Sequence, residues 1–171
     1  MAEMLEESSS LESTTVRIAP TATTVKGGRR RSFSALVVVG DRRGTVGLGY
    51  GKANGVPNAI EKAQKNARKQ MQRVTLQGGT LPHPIVGKFG ASSVKLVPAA
   101  PGTGVVAGGA VRAVLEMAGV HDCLSKALGS TNEKNLCKAV IDGLVRLRSR
   151  TKIAELRGVP ITSSKVDEVL A

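Results

Sequence analysis

The cationic side chains of one segment are the residues best suited to bind a charged partner. Between residues 26 and 73 the chain carries 12 Lys and Arg, against only Asp41 and Glu61. The segment therefore holds a net charge of +10, most of the formal +12 of the 171-residue chain. Glycines accompany these cations, first in Lys26-Gly27-Gly28-Arg29 and again across residues 47–51. Concentrated charge, with glycines where backbone can approach a polyanion, points to nucleic acid.

The candidate RNA-contacting residues lie in a glycine-rich turn and the strand after it, in a second charged turn, at the end of a strand, and along one face of a helix. They are Lys26, Gly27, Gly28, Arg29, Arg30, Arg31 and Phe33, then Arg42, Arg43 and Lys52, and finally Lys62, Lys65, Arg68 and Lys69. On a helical wheel the last four lie opposite an apolar stripe, and Glu61 is the only acid among them. A charged helix face can simply be solvated. Because no i,i+4 ion pairs are expected here, an anion that relieves the repulsion is favoured.

The sequence offers no set of residues with which an enzyme could work. Two glycine-rich stretches precede helices, Gly47–Lys52 and Pro101–Gly104, but neither has the spacing of a phosphate-binding or dinucleotide-binding loop. The carboxylates outside the N-terminal tail occur singly, without a paired acid or a nucleophile and base. Cys123 and Cys137 lie in apolar segments typical of reduced core residues, and His83 and His121 lack zinc-ligand spacing. We therefore predict no catalytic residue, no metal and no cofactor.

The composition of the N-terminal residues indicates the cellular compartment of the protein. Met1–Glu12 contains four glutamates and no basic residue, which argues against a secretory or organellar leader. We expect residues 1–13 to be a disordered acidic tail. No apolar run approaches the ~18 residues that span a bilayer. A membrane surface is a weaker partner than RNA, because no basic helix carries large apolar anchors. The sequence thus predicts a cytoplasmic protein with no membrane partner.

The elements that position the basic residues can be predicted from periodicity. Residues 14–25 read as a strand that Pro20 confines to an edge or a bulge. Alternating apolar residues predict a strand over 33–39, and residues 45–51 its hairpin partner. Apolar spacing predicts a helix over 57–74. Two explanations for the glycines at 47 and 49 stay open, close packing of the helix and close approach of RNA.

A second unit is predicted beyond the break at residues 77–80. Its expected elements are strands over 84–89 and 93–97, a glycine-rich loop over 98–109, a helix over 110–118, a strand over 124–128 and a helix ending near 147. The stretch Ser130-Thr131-Asn132-Glu133 is predicted to supply the N-cap of that last helix, with an acid placed for a capping box. Residues 148–171 read as a basic, partly helical tail. The alternation of strands and helices predicts an α/β or α+β domain over 80–147.

The order and spacing of several motifs resemble one family. In the first half these are Lys26-Gly27-Gly28-Arg29, the run Phe33–Asp41 and Gly47-Leu48-Gly49-Tyr50-Gly51-Lys52-Ala53. In the second half they are Gly102-Thr103-Gly104, Ala107–Glu116, Ala118–His121 and Gly129-Ser130-Thr131-Asn132. Together they cover roughly residues 18–147. The chain resembles the bacterial small-subunit ribosomal protein five family.

This resemblance implies an α+β fold with two domains. The first, over 14–76, would resemble a double-stranded-RNA-binding domain with a sheet backed by a helix. The second would be an α/β domain with an unusual left-handed βαβ crossover. The implied function is structural and regulatory: binding small-subunit rRNA, helping to form the mRNA entry channel with ribosomal proteins three and four, contacting ribosomal protein eight, and influencing decoding accuracy.

The resemblance also implies roles for particular residues. The turn from Lys26 to Arg29 matches an RNA-contacting loop near sites of spectinomycin resistance. Gly102, Thr103, Gly104 and Arg112 match a region associated with the protein-four interface and with fidelity. Two positions depart from the family pattern, since Pro20 and Thr23 stand where the family has Arg and Lys. Residues 145–171 match poorly, so the resemblance implies little about their contacts.

Overall fold

The computed structural model describes residues 11–159, which form an α+β fold with two four-stranded sheets and four helices. The expectations for residues 1–10 and 160–171 fall outside this range. The α+β class predicted from the sequence is confirmed. Residues 77–80 form a turn closed by backbone hydrogen bonds between Gln77 and Thr80, of 3.0 and 3.1 Å. The division into domains at this turn stays a prediction.

The first sheet is antiparallel throughout and is dominated by one long hairpin. Its strands are β1 (Glu12–Val25), β2 (Gly28–Gly40), β3 (Thr45–Ala53) and β4 (Gln72–Arg73), in the order β1-β2-β3-β4. Because β1 begins at Glu12, the last residues of the predicted disordered tail are ordered in a strand. The strand that contains Pro20 lies at the edge, as predicted, where a missing N–H does not interrupt a ladder.

Helix α1 (Val56–Lys69) covers one face of this sheet. Ala59, Ala63 and Ala67 are fully buried against Ala35, Val37 and Val39 of β2. The prediction that the helix runs to Val74 is wrong. Met71 and Val74 keep a helical spacing, but the chain turns at Gln70, and residues 72–73 add to the sheet as β4. Tertiary pairing has overridden a local pattern here.

The alternating glycines of β3 are explained by the packing of this helix. A Cβ atom at Gly47, Gly49 or Gly51 would overlap the backbone oxygen of Ala67, Ala63 or Ala59, respectively. The three alanines recur every four residues of the helix, and the three glycines recur every second residue of the strand. The spacing of the two rows therefore matches along the contact, with each alanine against one glycine. Of the two explanations left open by the sequence, close packing of the helix is the correct one.

The second sheet has the order β5-β6-β8-β7 and carries the other helices. Its strands are β5 (Ile85–Phe89), β6 (Ser92–Pro98), β7 (Val105–Val106) and β8 (Cys123–Gly129), and its helices are α2 (Gly109–Ala118), α3 (Glu133–Val145) and α4 (Arg150–Arg157). β7 runs parallel to β8 and is joined to it through α2, so a βαβ unit is present. Sequence reasoning missed β7, because two residues are too few for a periodic signal.

The start of α3 agrees with the prediction in part, and its end differs from it. Its N-cap is Asn132, whose side chain accepts a hydrogen bond from the N–H of Lys134. This N-cap lies within the predicted stretch 130–133, but Glu133 is the first helical residue, so the predicted capping box does not form. Ser130 instead accepts a hydrogen bond through its backbone oxygen from Ser92 Oγ at 2.7 Å. The helix ends at Val145, two residues before the predicted end.

One apolar core joins the two halves. Leu36 and Val38, on the face of β2 opposite α1, belong to the same buried cluster as Val114 of α2 and Val140 of α3. The turn between β2 and β3 also docks on the end of α2, where the N–H groups of Arg42 and Gly44 donate to the carbonyl oxygens of Met117 and Ala118 at 3.1 and 3.0 Å. The two faces of β2 are therefore both covered, as its continuous apolar run indicated.

Both cysteines are buried, unpaired members of the core, as predicted. Burial raises the pKa of the Cys123 thiol to about 11 and that of Cys137 to about 12. Because the thiolate is the reactive form, neither residue has the character of a nucleophile. None of the helices between residues 11 and 159 has the length and apolar character needed to cross a bilayer.

Candidate nucleic-acid interface

The tip of the β1–β2 hairpin presents the predicted Lys26–Arg29 turn to solvent. The strand ladder ends at the pair Val25 and Gly28, which leaves Lys26 and Gly27 as a two-residue turn with both residues exposed. Gly28 has a φ of +150°, which favours glycine, whereas Gly27 does not have a positive φ. Within this two-residue turn and its flanking pair, the left-handed conformation is therefore confined to Gly28. A Cβ at either residue would meet no atom within 4 Å.

The three arginines that follow this tip extend the cationic surface along the hairpin. Arg29, Arg30 and Arg31 are all exposed and pair with Thr24, Thr23 and Ala22 of the edge strand. Phe33, at the base of the arm, is different because its ring is partly buried against the alanine-rich cluster under α1. Phe33 therefore anchors the arm on the core.

A polar groove lies between the hairpin, the end of β3 and α1. It brings together four of the predicted cations, Arg30, Lys52, Lys62 and Lys65. Its other polar side chains, which sequence reasoning missed, include Thr23, Ser32, Asn54 and Asn58. Asn58 lies four residues before Lys62 on α1, and this helical spacing was the signal available in the sequence. Amide and hydroxyl groups beside cations suit phosphate and sugar oxygens.

One ion pair in the groove was not expected from the sequence. Lys65 Nζ lies 2.7 Å from Glu61 Oε1, an i,i+4 pair that was expected to be absent. The hydrogen bond and charge of Lys65 lower the pKa of Glu61 below its ordinary value. Both side chains are well exposed, so water and salt weaken the pair. Arg30, Lys52 and Lys62 remain as the groove cations without a carboxylate within 4 Å in the described range.

The other predicted cations lie outside this groove. Arg68 and Lys69 are exposed near the end of α1, and Lys69 faces a different cleft. Arg42 and Arg43 lie at the opposite end of the β2–β3 ladder, whose eight residue pairs span roughly 25 Å. Arg42 Nη2 also forms a 2.6 Å ion pair with Glu12. The structure therefore does not bring Arg42 and Arg43 together with the groove.

Asp41 fixes the turn that carries these two arginines. Its Oδ1 accepts hydrogen bonds from the N–H groups of Arg43 at 2.7 Å and Thr45 at 2.8 Å. Partial burial opposes ionisation, but these hydrogen bonds prevail and lower the pKa of Asp41. Arg42 adopts a φ of +55° in this turn, an uncommon conformation for a non-glycine residue. The turn is therefore shaped by its own hydrogen bonds and by its contact with α2.

The residues predicted to form a protein interface lie together at one end of the second sheet. Gly102 and Gly104 have φ values of +87° and +74°, and a Cβ at either would meet nothing within 4 Å. The Gly104 N–H donates to Asp122 Oδ1 at 2.8 Å, and Thr103 Oγ1 donates to the Ala100 oxygen at 2.7 Å. Exposed Arg112 reaches back to the Val105 oxygen at 3.2 Å. The four residues thus share one corner, which is exposed except for the partly buried Gly104.

Within residues 11–159, no three His, Cys, Asp or Glu side chains are grouped so that they could hold a metal ion. The arrangement that the structure does offer is an exposed cationic arm above a cationic groove, both built on the first sheet. Such a surface can bind a polyanion through phosphate contacts.

Comparison with known proteins identifies the family from both halves of the chain. Residues 11–75 match the model of the N-terminal domain of ribosomal protein S5, and residues 87–157 match the model of its C-terminal domain. The chain is 54% identical to small ribosomal subunit protein uS5 of Syntrophobacter fumaroxidans over 143 residues, 84% of this chain and 86% of that protein. It is 50% identical over 159 residues to the Vibrio cholerae protein of the same name, covering 93% of this chain and 95% of the relative.

A third relative, from Rubrobacter xylanophilus, is 53% identical over 153 residues and carries the same name. It covers 90% of this chain and 76% of its own length. The reported relatives are ribosomal proteins by name and the matched domains are those of a ribosomal protein, so the prediction that the chain is not an enzyme is confirmed. From the two matched domains and the identity along most of its length, we conclude that the chain belongs to the ribosomal protein S5 family of the small subunit.

Proposed function

We propose that this chain is a non-catalytic structural constituent of the small ribosomal subunit, in the cytoplasm, and that it binds rRNA through its first sheet. The observation that carries this proposal is the convergence of Arg30, Lys52 and Lys62 in one groove beneath the exposed arm of residues 26–31. Membership of the family indicates that the chain belongs to the small subunit, and the distribution of its cations indicates which surface contacts rRNA. Phosphate contacts would fix the register of the protein on the RNA.

The alternative is a free-standing RNA-binding module with the same basic surface. Sucrose-gradient sedimentation with detection of this chain distinguishes the two. A constituent of the subunit cofractionates with small subunits and stays with them through a high-salt wash. Recovery of the chain only at the top of the gradient would establish the alternative.

We further propose that the chain lies at the mRNA entry channel and contacts neighbouring ribosomal proteins, among them proteins four and eight and also protein three. The corner formed by Gly102, Thr103, Gly104 and Arg112 suits the contact with protein four. Its glycines carry no side chain, so a neighbouring backbone can approach closely. The guanidinium of Arg112 donates one N–H to the Val105 oxygen, and its other N–H groups can donate to a carboxylate of the neighbouring protein.

The first test concerns the hairpin tip. We expect Gly28→Val to alter the response of ribosomes to spectinomycin, because a β-branched residue is strained at a φ of +150° and changes the path of the arm. The measurement is growth and in vitro translation across a drug titration, with the variant verified in the subunit. Gly78→Val is the matched control, since Gly78 is also exposed, has a positive φ and open space around it, and lies outside the predicted RNA-contacting residues. A drug response unchanged by Gly28→Val would count against this role.

The second test concerns decoding accuracy. We expect Gly104→Arg to increase miscoding, because a bulky charge at the corner would wedge an interface that changes between subunit states. A stop-codon readthrough reporter measures the effect. Gly104→Ala is the control, since it imposes the same backbone strain at a φ of +74° without bulk or charge. Wild-type readthrough in Gly104→Arg ribosomes, or an equal increase with Gly104→Ala, would refute the wedge.

A further inference from the structure

The chain places most of its few aromatic side chains at the surface of one cleft. It has one Tyr, two Phe and no Trp, so its core is built from aliphatic residues. Phe33 is partly buried, but Tyr50 is 41% exposed and Phe89 is 42% exposed. Both rings line an open cleft of about 920 Å³ between the two halves of the molecule. Large apolar rings that a core could use are instead left partly in water.

Two lysines of α3 lie over these two rings. Lys134 Nζ lies 4.1 Å from the centroid of the Tyr50 ring, and Lys138 Nζ lies 4.5 Å from that of Phe89. The two lysines are four residues apart, so they are neighbours on one helix face, with Cβ atoms about 5–6 Å apart. Each aromatic ring is thus paired with a cation on successive turns of the same helix.

The cleft carries an excess of positive charge. Lys69 of α1 lines it beside Lys134 and Lys138, and none of these three forms an ion pair within residues 11–159. The acid of the cleft, Asp142, is already bound by Arg146 Nη2 at 2.8 Å. A ligand with negative charge is therefore favoured at this site.

We propose that this cleft is a second RNA site, which receives an unpaired nucleotide whose base stacks on Tyr50 or Phe89 and whose phosphates meet Lys69, Lys134 and Lys138. Aromatic rings beside cations are the combination that recognises single-stranded RNA. The inference rests on the proposed rRNA-binding function and adds a subsite to it. The cleft and the groove lined by Arg30, Lys52 and Lys62 have no lining residue in common, so they are separate sites.

A purely structural role explains less. The contact of Lys134 with Tyr50 ties α3 to β3, but Tyr50 and Phe89 stay about two-fifths exposed, and the contact gives no role to Lys69. A bound base would cover the exposed ring surface, and its phosphate would relieve the repulsion among the cations.

Zero-length cross-linking tests the contact directly. Assembled small subunits that contain this chain would be irradiated with ultraviolet light, digested, and searched by mass spectrometry for peptides joined to nucleotides. We expect RNA adducts at Tyr50 or Phe89, and we expect Tyr50→Leu and Phe89→Leu each to remove the adduct at its own position.

Binding of the full chain to small-subunit rRNA gives an independent readout. Tyr50→Leu is expected to weaken binding by roughly 5- to 160-fold, the range for loss of one stacked base, without changing the slope of log K against log salt. Tyr50→Phe should retain most of the affinity because it keeps the ring. Lys134→Gln should instead lower the slope by about 0.7–0.9. Melting temperatures of the variants will show that they are folded.

The outcomes separate the subsite from the function on which it rests. RNA adducts at either ring together with the stacking-type loss of affinity would support the inference. Adducts confined to the β1–β2 arm and the groove, or cross-links from the rings to protein alone, would overturn it while leaving the proposed function intact. Absence of rRNA binding by the unaltered chain would overturn both.

Discussion

Replacing Gly49 by valine is expected to lower the free energy of unfolding by about 3 kcal/mol or more, an unusually large effect for one substitution. The Cβ would overlap the backbone oxygen of Ala63, and it would also crowd the backbone nitrogen of Ala67. Relief requires α1 to move away from β3, which would expose Val37 and Val39. Urea denaturation of the purified chain, followed by circular dichroism, measures this loss.

Gly109→Ala is the matched control for this prediction. A Cβ at Gly109 meets no atom within 4 Å, and the residue is the first of α2 with an ordinary backbone conformation. Alanine there should be neutral or slightly stabilising. If Gly49→Val were as stable as Gly109→Ala, the packing of α1 on the glycines would not be the reason for their presence.

The second large effect is expected from removing the groove charges. The triple variant Arg30→Gln, Lys52→Gln, Lys62→Gln should bind small-subunit rRNA on the order of 100-fold more weakly near 0.1 M salt, because three phosphate contacts are lost. Competition with the unaltered chain during assembly of small subunits measures the effect. These side chains are exposed, so little loss of folding stability should accompany it.

A second triple variant controls for charge. Lys88, Lys95 and Lys126 are exposed lysines on the outer face of the second sheet, where Lys95 and Lys126 pair directly across β6 and β8. Changing all three to glutamine removes the same net charge from a surface outside the groove. We expect this variant to compete much better for assembly than the groove variant does.

Local patterns were sufficient to predict most elements of this fold. The alternation in β2 and the apolar spacing in α1 each identify an element and the face that it buries. The cationic residues could also be identified from the sequence, because their residue types and their density along the chain do not depend on the three-dimensional structure. What they could not show is which cations meet: Arg30 and Lys62 lie on different elements that only the packing of α1 brings together.

Other features depended on contacts distant in sequence. Val74 has helical spacing, yet its N–H donates to the Gly44 oxygen at 2.6 Å and its side chain enters the core shared with α2 and α3. The alternating glycines of β3 allowed two explanations until the structure showed that α1 packs against them. The Glu61–Lys65 pair, by contrast, has a spacing that the sequence displays, and it should have been expected.

The most direct test of the proposed RNA surface is the salt dependence of binding to small-subunit rRNA by the unaltered chain and the two triple variants. The groove surface predicts that the slope of log K against log salt falls by about 2–3 for the groove variant, at about 0.7–0.9 per phosphate contact. It also predicts a much smaller change for the variant of Lys88, Lys95 and Lys126. Equal slopes for the unaltered chain and the groove variant, with the lysine variant lower than both, would contradict the assignment of the groove as the rRNA-binding surface.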